Sequence, residues 1–167
     1  MGFALPADKR FALSELHVTS NAFAPNGAIP ARHTGEGDDT SPALSWSKLP
    51  EGTKSLAVFC HDPDAPVISS QGNYGFVHWV YYNIPATVTS LIEGCSTYTT
   101  GSNDFGNTGY NGPMPPNGHG VHRYYFWVVA LDAALELDAG LSLPQLIEKI
   151  QPHTLGMNRL VGSYERT

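Results

Sequence analysis

Three runs in this chain, Ser55 to Cys60, Phe76 to Ile84 and Val121 to Leu131, are apolar or aromatic at almost every position and rich in β-branched residues. Side chains of this kind pack well on a pleated surface, and uninterrupted apolar runs of this length read as buried strands. Shorter strand-like segments precede them at Phe11 to Val18 and Ala43 to Trp46, with Ser41-Pro42 and Leu49-Pro50-Glu51-Gly52 as punctuation. A last strand is expected over Leu160 to Arg166. Only one helix is expected. It starts near Ser142, which can cap it, has Pro144 in its first turn, carries apolar residues at Leu143, Leu146, Ile147 and Ile150, and is closed by Pro152. The fold class that follows is mostly β.

The remainder of the composition agrees. Only 14% of the 167 residues are charged, while there are 17 Gly and 13 Pro, a balance that suits short strands and many turns. The length is that of one domain with one substantial core, and no inter-domain linker or repeat interrupts residues 1–167. A net charge of -6 without a cluster of Lys and Arg argues against a nucleic-acid surface. No apolar run is long enough to span a bilayer, and the N-terminus lacks the order of a signal peptide, so a cytoplasmic protein is expected.

Two long irregular stretches, Pro63 to Asn73 and the glycine-rich Ile92 to Gly120, separate the strong strands. Loops of such length in a compact domain commonly carry function. Cys60 and Cys95 have no C-x-x-C spacing, so they read as incidental thiols. His61, Asp62, Asp64, His78, His119 and His122 are metal ligands by type, yet their spacing matches no metal motif. No nucleophile elbow or phosphate-cradling P-loop occurs. His17, His33 and His153 read as structural or surface residues, Asp64 as a turn former, and Arg123 as a structural ion-pairing or carbonyl-capping residue.

Four ordered blocks carry a resemblance: His61-Asp62-Pro63-Asp64-Ala65-Pro66, then His78 to Pro85, then Tyr110 to Pro116, then Gly118 to Tyr124. They resemble the signature blocks of the phosphatidylethanolamine-binding protein family, and Ser41 to Trp46 and Asn103 to Gly106 extend the likeness over nearly the whole chain. The short C-terminus resembles the bacterial Raf-kinase-inhibitor-like branch, which lacks the extra C-terminal helix of the animal members. The resemblance implies two packed, largely antiparallel sheets with a few short peripheral helices, and a pocket at one end. By position, Asp62, Pro66, His78, Pro115, Pro116, His122 and Tyr124 fall on its lining. It also implies a cis Ala65–Pro66 bond, a homodimer, and a role in regulating a kinase or protease; no cofactor or metal is implied. Phe76 stands where animal members have Trp and Met114 where they have Gly, so rim and selectivity are expected to differ.

The residues themselves lead to a compatible place. His122 and Tyr124, two apart on a strand, share a face while Arg123 points away. His78, His122, Tyr124 and loop N–H groups can converge as donors on a phosphate or carboxylate. Asp62 would repel an anion, so its expected place is behind a histidine, accepting from one ring nitrogen while the other donates to the ligand. The function expected is therefore binding of small phosphorylated or anionic ligands, including phosphorylated protein groups. The alternative is a hydrolase of a phosphoryl or acyl compound, with His122 as base.

Overall fold

The computed structural model of the protein describes residues 14–68 and 74–167. The elements run β1 His17–Thr19, β2 Leu44–Ser47, β3 Ser55–Asp62, β4 Phe76–Pro85, β5 Ser90–Leu91, β6 Thr99–Thr100, β7 His122–Leu131, α1 Leu143–Ile150 and β8 Thr154–Tyr164. All strand pairs within the two sheets are antiparallel. One sheet has three strands in the order β1-β2-β5, the other five in the order β6-β4-β3-β7-β8. Among the described residues no helix is long and apolar enough to cross a membrane.

The continuous apolar runs arise because the large sheet is covered on both faces. Alternate residues of β3, namely Leu56, Val58 and Cys60, pack with Val18, Leu44, Trp46 and Leu91 of the small sheet. The residues between them, Ala57 and Phe59, pack with Leu143, Leu146 and Ile150 of α1 on the opposite face. β7 divides in the same way, with Tyr124, Phe126 and Val128 toward the small sheet and Val129 and Leu131 toward the helix. A period of two with both faces buried leaves no polar alternation to read.

Helix α1 starts as its sequence dictates. The Ser142 hydroxyl accepts from the Gln145 N–H while the Gln145 side chain accepts from the Ser142 N–H, a reciprocal capping box, with a proline in the first turn. After Ile150 the chain tightens into a 3-10 turn, Gln151–His153, that contains Pro152. Several boundaries differ from expectation. β8 begins at Thr154 rather than Leu160, because its first half lies at an edge, is half-buried and carries polar residues such as Asn158, whose amide donates to the Leu16 carbonyl. Of the strand expected over Phe11 to Val18, residues 11–13 lie outside the described residues and only His17 and Val18 are extended in β1. β5 and β6 are two residues each, too short to leave a pattern.

The sheet order fixes where chemistry can occur. β3 lies between β4 and β7 and runs opposite to both, so its C-terminal end meets their N-terminal ends. Asp62, His78, His122 and Tyr124 are thereby gathered at one end of one sheet. The helix side of the core is tested by Leu146→Ala. It should lower unfolding free energy by about 2–5 kcal/mol, as a fully buried Leu truncation does, against about 1 kcal/mol for the cap change Ser142→Ala, both read by urea unfolding.

Candidate functional site

At that end lies a cavity of about 240 Å³. All seven residues expected at a pocket, Asp62, Pro66, His78, Pro115, Pro116, His122 and Tyr124, line it, together with Ala65, Val67, Phe76, Phe105 and Met114. Phe76, Phe105 and His78 form an aromatic wall, with ring centroids 4.7 to 5.4 Å apart, and Tyr124 meets His78 edge-on at 5.2 Å. The wall is mostly apolar. Its polar groups are few, buried and separately held.

Asp62, the last residue of β3, is buried, and both its oxygens are used. Oδ2 accepts from Nδ1 of His122 at 2.7 Å, and Oδ1 accepts from the backbone N–H of Asp64 at 2.8 Å. Asp64 in turn accepts the Arg123 N–H on Oδ2 at 2.8 Å. The two aspartates of the Asp-Pro-Asp turn thus tie β3 to the start of β7. Asp64 forms the turn, as its residue type suggests, and also holds the neighbouring strand. Arg123 is exposed on the far side of β7 from His122 and Tyr124, as the alternation requires.

The expected cis bond at Ala65–Pro66 is corrected, since no cis peptide bond occurs among the described residues. The reversal is made by hydrogen bonds instead. Asp62 closes its own turn through Asp64, and the Val67 N–H donates to the Ala65 carbonyl at 2.8 Å.

His78 also differs from expectation. Its Nδ1 donates to the Asn111 carbonyl at 2.8 Å. Burial pushes the ring below its ordinary histidine range, opposed by the carbonyls of Asn111 and Gly112 and by Asp62. His78 is therefore neutral with its one proton on Nδ1, and toward a ligand it is an acceptor through Nε2, not the donor expected. Tyr124 is a donor: burial raises its phenol far above the ordinary range, so the hydroxyl keeps its proton. That hydroxyl is buried and has no hydrogen-bond partner among the described residues.

His122 has Nδ1 on Asp62, which satisfies the first half of the expected arrangement. Nε2, the nitrogen expected to face a ligand, lies 2.7 Å from Nδ1 of His119. His119 was legible only as a residue of the glycine-rich approach, because nothing in Gly118-His119-Gly120 indicates where the ring turns. His61 is directed elsewhere, its Nε2 donating to the Tyr74 carbonyl at 2.6 Å. His33 is structural, its Nδ1 donating to the Thr40 carbonyl.

The proline wall is set partly by Asp39, Gly35 and Arg166, which the motifs did not single out. Asp39 accepts from the Gly112 N–H at 2.6 Å and from the Asn111 amide at 2.9 Å, and Gly35 N–H donates to the Pro113 carbonyl. Gly112 passes so close to the His33 carbonyl that a Cβ would lie 2.1 Å from that oxygen. Arg166 donates to the Pro115 carbonyl at 3.2 Å. Asn103 braces the same loop, with its amide on Gly109 and Asn111. The four-residue spacing of Asn103, Asn107 and Asn111 was the available signal.

Residues 19–165 match the family model described as phosphatidylethanolamine-binding protein. The chain belongs to that family. A UPF0098 protein of Methanothermobacter thermautotrophicus is 40% identical over 158 residues, which cover 90% of this chain and 99% of that protein. The E. coli protein YbcL, described as a member of the mammalian family, superposes with a TM-score of 0.83 at 35% identity, covering 92% of this chain and 100% of that one. A Chlamydia trachomatis homolog of the family gives 0.82 at 36% identity, covering 91% and 98%. Membership supports ligand binding as the general function.

The depressed His78 has a consequence for stability. Below about 6.5, the ordinary histidine value, the unfolded chain takes up a proton that the folded ring refuses. The unfolded state then binds more protons, so stability is complete above that pH and falls as pH drops below it. Urea midpoints should decline between pH 7 and pH 5 more steeply in the parent than in His78→Gln; equal slopes would show that His78 is not held neutral.

Proposed function

We propose that this protein binds small phosphorylated or anionic ligands in the cavity between Asp62, His78, His122 and Tyr124. The single observation that carries the reading is the Tyr124 hydroxyl, a buried donor with no hydrogen-bond partner among the described residues, on a residue that lines the cavity. An unpaired buried polar group costs about 1–3 kcal/mol. An oxygen of a bound ligand relieves that cost. The neighbours define which oxygen. His122 offers Nε2 as a donor to the ligand once His119 gives way, while Asp62 accepts from the other nitrogen. His78 accepts through Nε2, which suits a group carrying a hydroxyl, such as a singly protonated phosphate. A phosphomonoester in its monoanionic form presents two kinds of oxygen to match, while the apolar wall of Phe76, Phe105, Met114 and the prolines accommodates its organic part.

The chain is read as one domain, cytoplasmic and homodimeric, and a kinase- or protease-regulating role through a phosphorylated group on a partner belongs to the same proposal. Sedimentation at micromolar concentration should show a dimer; a lone 18.0 kDa species would contradict it.

The Asp62–His122 hydrogen bond equally suits a general base, which sustains hydrolysis of a phosphoryl or acyl compound as the second reading. Turnover separates the two. A binder saturates with a phosphomonoester and releases no product, whereas a hydrolase releases product and loses that activity in His122→Ala.

His122→Ala should weaken binding by about 1.5–3 kcal/mol, the scale of a hydrogen bond to a charged group, and Asp62→Asn by less. If His122→Ala binds as tightly as the parent while chelation of divalent metal abolishes binding, the anion-pocket mechanism is wrong.

A further inference from the structure

The contact between His119 and His122 is the one polar contact at the site that opposes the binding reading. Nδ1 of His119 and Nε2 of His122 are 2.7 Å apart, so a single proton lies between them. Whichever ring holds it, Nε2 of His122 is spent on His119. Asp62 holds Nδ1 of the same ring, so no N–H of His122 remains for an oxygen in the cavity.

We propose that His119 is an internal competitor for Nε2 of His122, displaced by the anionic oxygen of the ligand, and that it thereby sets the affinity of the pocket. The proposal rests on the anion-binding reading of the same cavity. His119 is exposed, so its ring has solvent to move into. It stands between Gly118 and Gly120, both with positive φ, and a Cβ at either would meet nothing within 4 Å. The backbone on either side of the ring is open to solvent. The backbone beneath it is fixed by His119 N–H to the Pro116 carbonyl at 3.1 Å and by Gly118 N–H to the Arg166 carbonyl at 2.9 Å. The movement is consequently a rotation of one side chain, not an opening of the loop.

The direction of the effect distinguishes a competitor from a ligand contact. Removing a ligand contact weakens binding; removing a competitor strengthens it. Inorganic phosphate and phenyl phosphate are titrated calorimetrically into the parent, His119→Ala, His122→Ala and the double variant. The ring nitrogens of the parent are followed by 15N-edited NMR. His119→Ala should bind both probes about 3- to 10-fold more tightly, the scale of one partly exposed hydrogen bond released. That gain should vanish in the His122→Ala background, and saturating phosphate should move the His119 Nδ1 signal in the parent while the His122 Nδ1–H bonded to Asp62 persists. Weaker or unchanged binding in His119→Ala, or a gain that survives without His122, overturns the proposal while leaving the pocket reading in place. If neither the parent nor His119→Ala binds either probe at millimolar concentration, the pocket reading fails and the competitor role fails with it.

Discussion

Asp62 is a carboxylate buried at the end of a central strand, and such a group is tolerated only when its oxygens are occupied. One oxygen takes the Nδ1 proton of His122 on β7, and the other takes the N–H of Asp64 in the turn that follows β3. The rest of the site depends on this double engagement. It sets the ring plane of His122, and it fixes the turn whose next carboxylate holds Arg123 N–H and so the register of β7 at its first residues. The bond to Asp64, with that from Val67 N–H to the Ala65 carbonyl, turns the chain into the wall formed by Ala65, Pro66 and Val67.

Around this pair the protein places groups of fixed and complementary roles. His78 spends its only proton on Asn111 and presents an acceptor, while Tyr124 retains its proton and presents a donor. His78 stays neutral and Tyr124 keeps its proton at neutral pH, because burial opposes charge on both. Nε2 of His122 is the wall nitrogen that a neighbouring ring occupies. The remainder of the lining is mostly apolar.

Much of this was legible in the sequence. The three strong strands announced themselves because the large sheet is covered on both faces, and the seven lining residues were found from four motif blocks that the antiparallel order of β4, β3 and β7 brings to one end. The illegible parts share a physical reason: they depend on where a side chain turns, not on its type. His78 looked like a donor until the Asn111 carbonyl was seen to take its proton. His119, flanked by glycines, could be read as solvated or as functional, and nothing in its sequence shows that its ring folds back on His122. Asp39, some seventy residues before the loop it braces, had no local signal linking it to Gly112. The first half of β8 was hidden because a half-buried edge strand carries no apolar run.

The central claim is that the Tyr124 hydroxyl is a donor for a ligand oxygen in this cavity, with Nε2 of His122 recruited when His119 is displaced. The most direct measurement is a crystal structure of the protein with bound phenyl phosphate. A phosphoryl oxygen within hydrogen-bonding distance of the Tyr124 hydroxyl, with the Asp62–His122 bond intact and the phenyl ring against Phe76 and Phe105, is the result this account predicts. Phosphate bound elsewhere, with the Tyr124 hydroxyl still unpaired, would contradict it.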